Sequence, residues 1–202
     1  VDSVSLWERD AGLMSEAVAR HDAIIGREVV AAGGVLVRTK GEGDSSFSVF
    51  AHPAAAVGAA MAIQRAVGAE TWPTAVPLRV RTAVHTGDAE PRDGDWYGTA
   101  VNRAARLRAV AEGGQALVSG VTAGLVADRM PEGGRLLYRG RRVLRGIERP
   151  EEVWELVTAD DARLVTMGGL PSQELPPALE RLADASSFVG RSVERDQLRS
   201  LW

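Results

Sequence analysis

An α+β sandwich is the fold class this sequence predicts, with an antiparallel or mixed sheet and helices packed on one of its faces. Three observations lead there. Segments with apolar residues at helical spacing alternate with short segments of strand-like alternation, in the order α-β-β-α-β-α-β-α-β-β. Glycine pairs and a proline mark several of the junctions. A hydrophobic content of 45% over 202 residues suffices for one full core with a short appendage left over.

The first helix is predicted over residues 5–32, because Leu13, Ala17, Ile24 and Val18, Ile25, Val29 recur at spacings of four and seven before Gly33-Gly34 ends it. Residues 35–39 are strand-like and lead into a Gly-rich turn at 40–44. Phe47 and Val49 then alternate against Ser46 and Ser48, as one strand of a hairpin does. Pro53 opens an alanine-rich helix that ends near Gly68, and its thin polar arc predicts that it lies against a sheet. Residues 76–84 read as a strand, with Leu78 and Val80 alternating against Arg79 and Arg81. A loop holding Thr86-Gly87-Asp88 and Asp93-Gly94-Asp95 leads to a helix that runs to Gly113-Gly114. Residues 115–118 form a short strand, Ser119 is placed to cap a helix reaching about Asp128, and strands near 136–144 and 153–157 close the domain. This order fits a ferredoxin-like sandwich.

Several function classes are excluded on composition. A net charge of −3 gives no basic face for nucleic acid. With no cysteine there is no disulfide framework, thiolate zinc site or thiol nucleophile. No apolar run approaches the roughly 18 residues of a membrane span. The first residues lack the basic-then-apolar pattern of a signal peptide, so a cytoplasmic location is expected, with neither membrane nor nucleic acid as partner.

The most informative stretch is Gly94-Asp95-Trp96-Tyr97-Gly98-Thr99-Ala100-Val101-Asn102-Arg103-Ala104-Ala105-Arg106. A glycine-punctuated turn runs into a helix on which Asn102 and Arg106, four residues apart, share one face and point back toward Asp95. A carboxylate beside an Asn/Arg pair suits a ligand with both a base edge and a phosphate. Upstream, Lys40-Gly41-Glu42-Gly43-Asp44 supplies a cation and a carboxylate in a second Gly-rich turn. Together with Leu6-Trp7-Glu8, residues 81–87, Gly114-Gln115, Val118-Ser119 and residues 146–156, these segments resemble the class III nucleotide cyclase catalytic domain over roughly residues 3–157.

The resemblance implies a cyclase domain over residues 1–158 that converts ATP to 3′,5′-cyclic AMP and pyrophosphate. Lys40 and Asp95 match the pair that reads the purine, and this pair favours adenine. Asn102 matches the residue that fixes the ribose, and Arg106 the one that stabilises charge on the α-phosphoryl group. Asp44 matches one of two aspartates that hold two Mg²⁺ or Mn²⁺ ions. Arg145 stands where many members have a lysine for the terminal phosphates, and Arg81 where others have a phosphate-contacting arginine. His85 is read as structural, and Trp96 and Tyr97 as packing or dimer-contact aromatics. His21 and His52 have no partners at metal-ligand spacing. Sites shared between the subunits of a homodimer are expected.

The family's other metal aspartate ends a strand before the first helix. Aligning Ser3-Val4-Ser5-Leu6-Trp7 with that segment places it two positions before Val1, so an upstream strand is expected. Residues 159–186, with Met167-Gly168-Gly169 and Pro176-Pro177, read as a linker. Residues 187–202 resemble the opening of a STAND or AAA-type ATPase module and fit an amphipathic terminal helix equally well; on the first reading a downstream ATPase or output domain is a partner in the same chain. The alternative function is a weak or inactive cyclase-homology domain that binds nucleotide and regulates a larger signalling protein. A diguanylate cyclase is disfavoured because the Gly-Gly-Asp/Glu-Glu-Phe hairpin is absent.

Overall fold

The computed structural model describes residues 3–37 and 45–158. The chain divides into two units, Val1–Asp160 and Asp161–Trp202, and every described residue belongs to the first. Lys40 and Asp44, the linker expected at 159–186 and the segment 187–202 lie outside the described residues.

The first helix, expected unbroken, is two: α1 (Ser3–Arg9) and α2 (Ala11–Ala31). Asp10 divides them. It is extended, at φ −157° and ψ 96°, and its carboxylate accepts a hydrogen bond from the Leu13 N–H at 2.9 Å. An aspartate that caps a helix cannot also continue the one before it. Strands β1 (Val35–Val37) and β2 (Phe47–Val49) pair antiparallel, Leu36 opposite Ser48, as the alternation predicts. Helix α3 (Pro53–Ala69) follows with proline in its first turn.

The principal sheet has four strands in the order β3-β6-β8-β7. Strand β3 (Thr82–Val84) runs parallel to β6 (Ala116–Ser119). Strands β7 (Gly134–Arg142) and β8 (Glu151–Thr158) form the adjoining antiparallel hairpin. The mixed sheet is as expected, but the strand predicted over 76–84 is confined to its last three residues. Pro77 has no N–H to give a ladder, and the Val80 carbonyl is taken by the Gly114 N–H at 2.8 Å and the Gln64 amide at 3.3 Å. Among the described strands, β2 and β3 each pair along one edge only.

Helices cover both faces of this sheet, which corrects the one-sided arrangement expected. Helices α3 and α5 (Gly120–Val126) enclose one core, in which Val57, Ala60, Met61, Ala123 and Val126 meet Val84, Ala116, Val118 and Leu156. The intervening residue of β6, Leu117, faces the other way, with Val153, Leu144, Leu107 and Ala111. Leu107 belongs to α4 (Thr99–Ala109), so α4 lies on the opposite face. All four residues of β6 are therefore buried, as in a strand enclosed on both sides. A third cluster joins α2 to α3 through Met14, Ala17, Ile24, Val29, Ile63, Val67 and Trp72.

Candidate active site

The stretch before α4 was expected to be a loop, but it is a hairpin. Strands β4 (Glu90–Arg92) and β5 (Asp95–Tyr97) pair antiparallel, Arg92 opposite Asp95. The turn between them is Asp93-Gly94, at φ 54° and φ 81°. Two successive residues with positive φ make the tight turn that matches strand twist, and Asp-Gly is a favoured sequence for it. Asp95 is half-buried, and one of its oxygens accepts from the Trp96 N–H at 2.8 Å. Tyr97 is exposed beneath the Arg92 guanidinium, 5.4 Å from the ring centre.

Gly98 connects this hairpin to α4 at φ 143° and ψ 170°. A methyl group there would sit 3.0 Å from the Asp88 carbonyl oxygen. One turn further, Ala100 lies against Gly87, where an added methyl would stand 3.0 Å from its Cβ. The residues 87–88 and the start of α4 thus meet at a distance only glycine permits.

Helix α4 divides its side chains by chemistry. Asn102 and Arg106 are exposed, and the side chain of neither has a hydrogen-bond or ion-pair partner among the described residues. Leu107 is wholly buried beneath the helix. Arg103 turns inward, its Nη1 donating to Glu151 Oε2 at 2.6 Å. The hairpin and α4 therefore hold Asp95, Asn102 and Arg106 on one continuous segment. Arg81, just before β3, and Arg145, in the turn after β7, are exposed on separate segments. Among the described residues no group of three or more His, Asp or Glu side chains is placed to hold a metal ion.

A polar chain lies at the ends of β3 and β6, with Ser119 and Thr122 buried and His85 and Thr86 half-buried. The His85 Nδ1 and the Ser119 hydroxyl are 2.8 Å apart, Ser119 reaches the Thr122 hydroxyl at 3.0 Å, and Thr122 reaches that of Thr86 at 2.9 Å. Ser119 stands at the start of α5, as predicted, yet its hydroxyl is engaged here and makes no cap to the helix backbone. Burial holds the His85 imidazole below the ordinary histidine pKa; Glu151 acts against this and Arg103 with it. Sequence reasoning missed Arg103, Glu151 and this chain. The available signal was that Ala100, Arg103, Ala104 and Leu107 share one helix face, which puts a charge on an inward stripe.

The chain is 34% identical over 197 residues to an uncharacterized protein of Mycobacterium tuberculosis, covering 96% of this chain and 65% of that protein. It therefore spans just under two thirds of the length of that relative. A receptor-type adenylate cyclase of Trypanosoma congolense is 30% identical over 199 residues, covering 76% of this chain and 26% of that protein. A solved adenylate cyclase structure from Trypanosoma brucei, in its monomeric state, superposes with a TM-score of 0.68 at 25% identity, over 79% of this chain and 85% of that one. The described domain has the fold of the class III adenylate/guanylate cyclase catalytic domain. No protein-family model matches it. No described helix is long and apolar enough to cross a membrane.

Proposed function

We propose that this cyclase domain is an adenylate cyclase that converts ATP to 3′,5′-cyclic AMP and pyrophosphate in clefts shared by two copies of the chain. The observation that carries this reading is α4 itself, which offers an unpartnered amide and an unpartnered guanidinium to solvent directly after the hairpin that holds Asp95. Polar groups left open on an otherwise well-packed helix are suited to a ligand. In the proposed reaction the ribose 3′-oxygen attacks the α-phosphorus in line and pyrophosphate leaves. Asn102 holds the ribose so that the attacking oxygen is aligned. Arg106 donates to the non-bridging oxygens as charge accumulates on them. Lys40 and Asp95 read the adenine: a lysine donates to N1 and a carboxylate accepts from the exocyclic amine. Arg145 and Arg81 bind the phosphates.

Mg²⁺ or Mn²⁺ held by Asp44 belongs to the proposal through the resemblance. The test is cyclic nucleotide production from ATP and from GTP, with each ion and with chelator, for the wild type and Arg106→Ala. Cyclic AMP from ATP, reduced about 10²–10³-fold in the variant, supports the reading. No product from either nucleotide, at concentrations where sedimentation shows a dimer, favours the regulatory nucleotide-binding module instead.

A further inference from the structure

We propose that Arg103 and Glu151 are a positioning pair that sets the orientation of α4 and, through it, of Asn102 and Arg106. The proposal rests on the cyclase reading above. Helix α4 has 11 residues, and Leu107 is the only one fully buried. One buried side chain fixes a point on a helix but neither its tilt nor its rotation about its own axis. In the first turn no side chain is fully buried: Ala100, which lies against Gly87, and Val101 are both half-buried.

Arg103 supplies the second point. It stands one turn before Leu107 on the same inward face, with its side chain one third exposed and 2.6 Å from a Glu151 carboxylate that is 9% exposed. Glu151 opens β8 and is itself held opposite Arg142 of β7. The tether thus runs from the helix to the principal sheet. A charge-assisted bond at this distance is short and directional, which is what fixing a helix about its axis requires. Asn102 precedes Arg103 and Arg106 follows it within a turn, so any rotation at Arg103 moves both. Both charges also act on His85, the half-buried end of the Ser119–Thr122–Thr86 chain. That histidine therefore reports on the pair.

The experiment compares Arg103→Met, Arg103→Lys and Glu151→Gln with the wild type. Glu151→Gln keeps the volume and one acceptor, so it remains informative where Arg103→Met fails to fold. Three readings are taken: kcat and KM per folded molecule, hydrogen exchange of the α4 amides, and the NMR titration of His85, one of three histidines in the chain. Expected are a loss of about 10²-fold in kcat with KM unchanged for Arg103→Met, and a smaller loss for Arg103→Lys, which keeps the charge without the planar fork. Exchange should rise in α4 while α3 and α5 stay protected. His85 should titrate higher in Arg103→Met and lower in Glu151→Gln. Unchanged kcat per folded molecule with only a lower thermal midpoint would overturn the proposal, as would unchanged α4 exchange. If the wild type makes no cyclic nucleotide, the cyclase reading fails and takes the catalytic consequence with it. The exchange and titration data still decide whether the pair holds α4.

Discussion

Gly98 joins the hairpin to α4 at a point where an alanine has nowhere to go. At φ 143° and ψ 170° the residue occupies a region that is essentially glycine-only, and a side chain there costs about 1–3 kcal/mol in backbone strain alone. The added methyl would also meet the Asp88 carbonyl oxygen at 3.0 Å and the Ala89 Cα at 3.4 Å. Both are main-chain atoms, so no side-chain rotation relieves the overlap, and such overpacking costs a further ~1–3 kcal/mol. The reduced entropy of the unfolded chain offsets only about 0.4–1 kcal/mol. The net expectation for Gly98→Ala is a loss of about 3 kcal/mol, within the 5–15 kcal/mol typical of a domain, so the variant stays folded at room temperature. Gly94→Ala is the control. It also has positive φ, at 81°, but nothing lies within 4 Å of the new methyl, so it should lose only about 1–2 kcal/mol. Urea denaturation followed by circular dichroism measures both. If Gly98→Ala costs no more than Gly94→Ala, the close approach of residues 88–89 to the start of α4 is not a feature of the folded protein.

Two further outcomes are expected. Because His85 is held below its ordinary value of 6.5, the folded state resists its protonation. The sign follows from linkage: between the folded and unfolded pKa the unfolded chain binds more protons, so this contribution is complete above pH 6.5 and declines as pH falls toward the folded value. The urea midpoint of His85→Asn should therefore vary less below that pH than the wild type's. The second concerns two arginines on β7. Arg139 pairs at 2.7 Å with Glu155, which is completely buried, whereas Arg141 pairs at 3.1 Å with the exposed Glu152. Arg139→Met removes the arginine from a buried carboxylate and should cost about 3–5 kcal/mol. Arg141→Met should cost under about 1 kcal/mol by the same denaturation assay.

Most of the fold was legible in the sequence because burial periodicity is a local signal. The β1–β2 hairpin, α3, β6 and the last two strands stand where alternation and helical spacing place them. The errors arose where one residue type carries two meanings. Asp10 sits in an otherwise helical run, and its role as a cap depends on the backbone turning extended there. Val80 continues an alternating pattern, but its carbonyl is claimed by Gly114 and Gln64, which are distant in sequence. The Asp93-Gly94 turn was a missed signal, since its residue pair is itself the mark of a tight hairpin. For the candidate site, the exposure of Asn102 and Arg106 matches their place on the outer face of α4. The ion pair of Arg103 with Glu151 was not legible, because it joins residues 48 positions apart and depends on the start of β8 arriving beside α4.

The separation between the two sides of α4 bears on how such a domain can change over evolutionary time. Leu107 and the four residues of β6 tolerate little, because each is enclosed by packed neighbours. Asn102 and Arg106 make no contribution to that packing, and replacing them should alter stability by no more than about 0.5 kcal/mol. Chemistry on this scaffold is therefore free to drift while the scaffold persists. Under the proposed cyclase reading, a lineage could retune, lose or regain activity one exposed side chain at a time while each intermediate still folds.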